Sequence, residues 1–314
     1  MKVFVAGATG ALGRQLVPQL VARGHEVVGM TRSAARREVV RSLGATPVVA
    51  DALDAAKVAA AVAETEPEVI VHELTALAGP IDLRHFDRFF EATNRLRTEG
   101  TDHLLAAARA VGARRFVGQS FAGWPYARSG GAVKTEGDPL DSAPPAQMRR
   151  TLDAIRYLEA AVTGGHSIEG VVLRYGALYG PGTSLDGEGS EQVQMIRKRR
   201  FPVVGDGGGV WSFVHVEDAA GATVAAVERG RPGIYNIVDD EPAPVAQWLP
   251  ALAAALRAKP PRRVPRWLGR LLAGEVATVM MTEVRGASNA KAKRELGWQP
   301  RHASWRDGFS GGLT

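Results

Sequence analysis

The sequence predicts an α/β protein: a parallel, doubly wound sheet with a smaller C-terminal lobe. Three observations carry that expectation. Short apolar runs alternate with helical patterns from the N-terminus to Arg174. A glycine-rich turn joins the first strand to the first helix. Beyond Arg174 the alternation loosens into short elements separated by Gly- and Pro-rich stretches (Gly180–Gly182, Gly205–Gly209, Pro242–Pro244, Pro260–Pro265). Strands that are apolar throughout are buried on both faces, as helices packed on either side of a parallel sheet require.

In chain order, Val3–Ala6 is the first strand and Leu12–Arg23 the first helix, with Leu12, Leu16 and Leu20 at helical spacing and Gly24 closing it. Glu26–Met30 is the second strand, and Ser33–Leu43 a helix ended by Gly44. Pro47–Ala50 is the third strand, followed by a helix over Ala55–Glu64 for which Asp54 is the natural N-cap. Val69–His72 is the fourth strand, and a long helical region spans Phe86 to Ala110. Arg115–Gln119, the helix Met148–Thr163 and Gly170–Arg174 complete the pattern. His72, on a buried strand, reads as a hydrogen-bonded core histidine.

The turn after the first strand, Gly7-Ala8-Thr9-Gly10-Ala11-Leu12-Gly13, has the spacing G-x-x-G-x-x-G. Gly7 permits the sharp exit from the strand, and Gly10 lets backbone approach a pyrophosphate. Gly13 lets the helix pack closely, and the helix start offers free N–H groups and a positive dipole. A dinucleotide is the expected ligand. The second strand runs on into Thr31 and Arg32, where an NAD-preferring site carries an acid for the ribose 2′-hydroxyl. A guanidinium there, supported by Arg36, suits a 2′-phosphate, so NADP(H) is the expected cofactor. After the third strand, Asp51 is placed to meet the adenine amino group, with Ala52 and Leu53 against the ring.

Composition narrows the remaining classes. With no cysteine there is no disulfide framework and no thiolate nucleophile or ligand. The 45% apolar and 23% charged fractions are those of a globular chain. No apolar run is long enough to span a membrane and no secretory leader is visible, so a cytoplasmic protein is expected. The formal charge of +6 comes from 32 arginines and seven lysines against 33 acids. These charges are mixed along the chain, so neither nucleic acid nor a membrane surface is an expected partner. No His, Asp or Glu cluster has metal-ligand spacing, and no catalytic metal is expected.

Taken together, VFVAGATGALG (3–13), DALD (51–54), VIVHELTA (69–76), RRFVGQS (114–120), LRYGALYGPG (173–182), GDGGGVWSFVHVEDAA (205–220), YNIVDDEP (235–242) and KAKRELGWQP (291–300) resemble the extended short-chain dehydrogenase/reductase family, also called the NAD-dependent epimerase/dehydratase family. The resemblance covers nearly the whole chain. It implies a Rossmann cofactor domain over 1–174, joined by later segments around 210–240, and a mainly substrate-binding lobe over 175–314. It further implies that the nicotinamide lies against Leu74, Thr75 and Ala76, Gln119 and Ser120, and Tyr175 to Leu178. Dimerisation through the helices after strands four and five is also implied.

One departure from the family matters more than the matches. The family's catalytic unit is a Ser or Thr after strand five and a Tyr-x-x-x-Lys on the next helix, whose tyrosine moves the proton. Aligning the family's glutamate with Glu159 puts the lysine position at Ile155 and the tyrosine position at Thr151, and no Tyr-x-x-x-Lys occurs anywhere in the chain. Ser120 falls one position before the family's serine, where Phe121 stands. Hydride reduction of a ketone leaves an alkoxide that needs an acid. Either another residue supplies the proton (Tyr126 first, then Tyr175 or His215), or the substrate's reduction creates no alkoxide, as for an activated C=C or iminium. Ser120, Tyr126 and Thr151 are therefore the catalytic candidates, while Trp124, Met148, Trp211 and His215 are candidates for the substrate pocket. The expected activity is an NADP(H)-dependent oxidoreductase acting on a small carbonyl or conjugated substrate. The alternatives are a nucleotide-sugar epimerase or dehydratase and a non-catalytic NADPH sensor.

Overall fold

The computed structural model describes residues 1–77, 82–165, 167–187 and 190–312. Seven strands form one sheet: β1 (Lys2–Ala6), β2 (Glu26–Thr31), β3 (Thr46–Val49), β4 (Val69–His72), β5 (Arg115–Phe121), β6 (Glu169–Tyr175) and β7 (Gly233–Ile237), in the order β7-β6-β5-β4-β1-β2-β3. Every pairing is parallel, from Val3 opposite both Val27 and Val69 to Tyr235 opposite Leu173. β1 is flanked by β2 and β4, so the chain leaves it in one direction and later returns on its other side. That switch opens a crevice at the C-terminal ends of the strands, where ligands of such sheets bind.

Side-chain alternation fills both faces. Val3, Val5, Val71, Val117 and Val171 pack against α1 (Ala11–Ala22) and α6 (Val216–Arg229). Phe4, Ile70, Phe116 and Val172 pack against α3 (Ala55–Thr65), α4 (Thr101–Ala110) and α5 (Arg149–Thr163). A third core, built on Tyr179, Phe213, Trp248, Trp305 and Phe309, belongs to the C-terminal segments. Among the described residues no helix is long and apolar enough to cross a membrane.

Two expected helices differ. The Ser33–Leu43 segment opens as a 3₁₀ turn (Ala34–Arg36) before α2 (Arg37–Ser42), because Ser33 is extended and makes no capping bond. The region from Phe86 to Ala110 is broken. Helices Phe86–Phe89 and Glu91–Arg95 are separated by Phe90, whose ψ of 1° is not helical, and a π-turn over Leu96–Gly100 precedes α4. Such turns widen the helix locally and concentrate at functional sites.

Candidate functional site

The glycine turn lies at the crevice. Gly7 has φ +104°, and a Cβ there would stand 2.7 Å from the Glu73 carbonyl oxygen. A Cβ on Gly13 would overlap the Gly7 carbonyl oxygen and lie 2.7 Å from the Ala8 carbonyl carbon. What Gly13 permits is thus close contact between α1 and the turn itself. Gly10 is exposed, and a Cβ on it would meet only the Gly7 oxygen, at 3.4 Å. α1 starts at Ala11 without a side-chain cap, leaving its first N–H groups and dipole to an anion. Leu12 roots the helix in the core. These features fit a dinucleotide's pyrophosphate.

Basic side chains frame the turn. Arg14 Nε donates to the Thr9 carbonyl (3.2 Å) and Arg36 reaches the Thr9 hydroxyl (3.5 Å). Thr31 is buried at the end of β2, while Arg32 is exposed and has no acidic partner among the described residues. Beyond β3, Asp51 accepts the Leu53 N–H (3.0 Å), and Asp54 caps α3 through the Lys57 N–H. Ala52 is buried and Leu53 half-buried beside them.

The exit of β4 holds a residue that sequence reasoning passed over. Glu73 is buried, accepts from the Tyr175 hydroxyl (3.0 Å), and has its other oxygen unpartnered. Tyr175, itself buried, also shares a hydrogen bond with Thr223 (2.7 Å), so its ring and hydroxyl belong to the α1/α6 face; Leu178 packs against the same cluster. Burial pushes the Glu73 carboxyl up to about 8, with the Tyr175 bond opposing. The folded value lies above the ordinary 4.5, so the proton-linked stability is full below about 4.5 and is lost as pH rises through about 8. Glu73→Gln is accordingly expected to flatten the fall in Tm between pH 5.5 and pH 8.5; an unchanged fall would show that Glu73 does not carry it. An acid closing an otherwise apolar strand was the signal in the sequence. His72 is buried with both ring nitrogens engaged, to the Leu96 carbonyl and the Leu74 N–H, and burial pulls it down to about 4. Leu74 is half-buried and Thr75 exposed, while the Ala76 N–H donates to Thr93.

The catalytic candidates fall into two networks. Ser120 donates to Glu159 Oε1 (2.6 Å), Arg174 grips both Glu159 oxygens (2.7 and 2.6 Å), and Arg174 also donates to the Tyr126 hydroxyl (2.9 Å). Tyr126 in turn donates to Asn236 Oδ1 (2.7 Å). Tyr126 is fully buried, and burial raises its pKa, making it a weaker acid. The structure therefore gives both hydroxyls structural partners, and the sequence expectation of Tyr126 as a proton donor finds no geometric support. Gln119 stays half-buried beside them.

In the second network, Thr151 is fully buried. Its hydroxyl donates to Asp87 (2.6 Å) and accepts from Asn94 Nδ2 (3.1 Å). Asp87 also takes the Arg150 and Thr151 N–H groups, capping α5 from another helix. Thr151, Ile155 and Glu159 share the buried face of α5, and Ile155 is 1% exposed. No titrating hydroxyl or lysine occupies those positions.

Of the pocket candidates, Met148 and Trp124 are brought together with Phe86, Phe90, Val276 and Met280. Trp211 lies in the third core beside Trp248, its indole N–H on the Met280 carbonyl (2.8 Å). His215 caps α6 through the Glu217 N–H and stacks on His302 at 3.8 Å. Its imidazole would collide with any Cβ on Gly180. These contacts assign His215 to the joint between segments and not to the pocket. His215, Glu217 and His302 do bring ligand atoms within 4.8 Å of one another. Each is already engaged, however: His215 Nδ1 accepts the Glu217 N–H, His302 Nδ1 lies 3.0 Å from Asp218, and Glu217 is paired with Arg301.

The model of the NAD dependent epimerase/dehydratase family matches residues 3–238. The chain is 47% identical over 312 residues to the 3-diazoavenalumate denitrifying reductase of a Streptomyces species, across 98% of this chain and 99% of that one. Among solved structures, it resembles the Thermus thermophilus UDP-glucose 4-epimerase in complex with NAD (TM-score 0.71, 26% identity, 100% of both chains). It also shares its fold with the human epimerase family protein SDR39U1 with NADPH (TM-score 0.76, 21% identity, 99% and 98% of the chains).

Proposed function

The chain belongs to the NAD dependent epimerase/dehydratase family, and within it we propose an NADPH-dependent reductase of an aryl diazo compound, which releases nitrogen and uses no protein acid. The reductase names among its relatives support an oxidoreductase using a nicotinamide dinucleotide. The observation that carries the finer reading is the filling of the relay: a buried Thr151 committed to Asp87, Ile155 for the lysine, and Ser120 and Tyr126 locked in the Glu159–Arg174 network.

When bound, the reduced dinucleotide supplies hydride. A diazo-bearing ring carbon that accepts it forms a C–H bond, while the C–N electron pair leaves with N₂. The substrate is reduced by two electrons and no alkoxide develops, so the reaction asks nothing of the missing tyrosine. The protein's share is binding, orientation and exclusion of water. Gly7, Thr9, Gly10, Ala11, Leu12 and Gly13 hold the pyrophosphate in this reading. Asp51, Ala52 and Leu53 hold the adenine, and Leu74, Thr75, Ala76, Gln119 and Leu178 border the nicotinamide. The half-buried Trp124 offers an apolar face to the aromatic ring, backed by the buried cluster of Phe86, Phe90 and Met148.

Ser120→Ala and Tyr126→Phe are expected to lower Tm yet change kcat by less than about tenfold, whereas loss of a true general acid costs about 100-fold or more. A larger drop in either variant would restore that residue as the proton donor. Arg32 and Arg36 support selection of the 2′-phosphate. Arg32→Glu is expected to weaken NADPH binding by well over about tenfold, the size of one charge-assisted contact, and to leave NADH binding unharmed. An unchanged NADPH Kd removes the assignment.

A further inference from the structure

Basic and acidic residues look mixed along the sequence, and on that ground no membrane surface is expected as a partner. The fold sorts them. Residues 242–274 carry six basic side chains and no acid, and residues 192–205 carry four and no acid. The two segments lie side by side in the C-terminal lobe. The Val203 N–H donates to the Arg262 carbonyl (2.8 Å), the short strands Val203–Val204 and Arg263–Val264 pair in parallel, and Arg199 Nε donates to the Pro260 carbonyl (2.9 Å). Lys198, Arg200, Lys259, Arg262 and Arg263 are exposed and have no acidic partner among the described residues.

The helix Arg266–Thr282 follows directly and breaks at Gly274 (φ +89°, ψ 176°). Its first arm, residues 266–273, turns apolar side chains outward. Gly269 is the buried contact, set so close to Val204 that a Cβ would overlap that side chain. Trp267 and Leu271 stand two residues to either side, about 160° around the helix from that contact. They are 69% and 70% exposed, and Leu272 is 59% exposed. Half of the six large apolar side chains exposed among the described residues thus project from this one arm. The arm is held in place. Arg84 donates to the Leu271 and Leu272 carbonyls, Arg266 pairs with Glu283, and Arg270 pairs with Glu275 (3.4 Å). Its own arginines are therefore used within the protein, and the unpaired charge comes from the adjoining segments.

A single exposed leucine needs no explanation, but a tryptophan and two leucines on one short arm beside unpaired cations do. A helix lying in the interface of an anionic membrane has this composition: Trp and Leu reach the boundary of headgroups and acyl chains, and the cations meet lipid phosphates. A second protein would need a pocket shaped for the protruding indole, whereas a fluid bilayer needs none.

We propose that this end of the C-terminal lobe docks on an anionic lipid surface. Trp267, Leu271 and Leu272 enter the interface, and Lys198, Arg200, Lys259, Arg262 and Arg263 face the headgroups. The contact is peripheral, in keeping with the lack of a membrane-spanning helix among the described residues. It is independent of the reductase reading, since docking requires neither cofactor nor turnover.

Cosedimentation of the full chain with vesicles tests it, using phosphatidylcholine alone and phosphatidylcholine with about one-quarter phosphatidylglycerol, at about 0.1 M NaCl. Wild type is expected to bind the mixed vesicles at least about tenfold more tightly than the neutral ones, and to be released as salt rises to about 0.5 M. R262Q/R263Q is expected to lose roughly 25-fold in affinity, about fivefold for each surface cation. W267A/L271A is expected to lose at least about tenfold. Both variants should keep the wild-type Tm, because the replaced side chains are exposed. R109Q/R231Q removes two exposed charges from the connections entering β5 and β7, at the other edge of the sheet, and is expected to bind as wild type does. Equal binding to neutral and anionic vesicles, equal losses in the two charge variants, or unimpaired binding by W267A/L271A would overturn the proposal. So would failure to bind vesicles together with retention on poly-L-glutamate that R262Q/R263Q abolishes, which would assign the face to an acidic protein.

Discussion

Arg174→Met is expected to lower the free energy of unfolding by about 3–5 kcal/mol, the cost of leaving a buried partner charge uncompensated. Glu159 is 5% exposed, and without Arg174 the Ser120 hydroxyl is the side-chain donor left to it among the described residues. Tyr126 loses its guanidinium donor at the same time. The double variant Arg174→Met/Glu159→Leu is expected to recover most of the loss, because removing both charges leaves no orphan. Urea denaturation at neutral pH checks both values; a loss under about 1 kcal/mol for the single variant would mean that solvent reaches the pair. The same network fixes the C-terminal end of β5, so the stability effect and the placement of Gln119 and Ser120 beside the crevice share one cause.

A second large effect is expected at the glycine turn, where two substitutions separate fold from ligand. Gly13→Ala places a Cβ against the backbone of Gly7 and Ala8, atoms that cannot move without reshaping the turn. It should lower Tm and weaken NADPH binding by roughly 100-fold, about 3 kcal/mol. Gly10→Ala meets no protein atom closer than 3.4 Å and has an ordinary φ of −74°, so its Tm should hold. Its affinity should still fall, because the methyl group occupies the approach path of the pyrophosphate. If Gly10→Ala binds NADPH as wild type does, the dinucleotide does not cross the turn at that point.

The legible part of this protein was the part with periodicity. β4 is predicted at its observed bounds because Val69–His72 is apolar and flanked by breaks, and Asp54 is read as a cap because a short acid precedes a helical pattern. The glycine turn is legible for a similar reason: Gly7 and Gly13 each answer a steric demand that no other residue meets. The interior polar groups were harder. Tyr126 is read from the sequence as the first candidate proton donor, but its partners Arg174 and Asn236 come from strands 48 and 110 residues away, and no local pattern announces them. Asp87 caps a helix 64 residues downstream, an arrangement only the folded chain creates. Arg97 did leave a trace, since it interrupts the buried stripe of Thr101, Leu104 and Ala108, but the π-turn that aims it inward has no sequence signature of its own. The net charge, too spread to interpret from composition, resolves into pieces with different duties: Arg115 and Arg174 in interior pairs, Arg32 and Arg36 beside the turn, and Arg97 buried next to Asn94.

The central claim is that hydride passes to a ring carbon without a protein proton donor, and isotope tracing tests it most directly. The protein is incubated with an arenediazonium carboxylate and NADPH carrying deuterium at the transferable C4 position, in ordinary water. The expected result is loss of N₂ with one deuterium on the ring carbon that bore the diazo group, at a rate changed less than about tenfold by Ser120→Ala or Tyr126→Phe. Ring protium drawn from solvent, or NADPH that binds tightly and is never oxidised while nitrogen is retained, would contradict it.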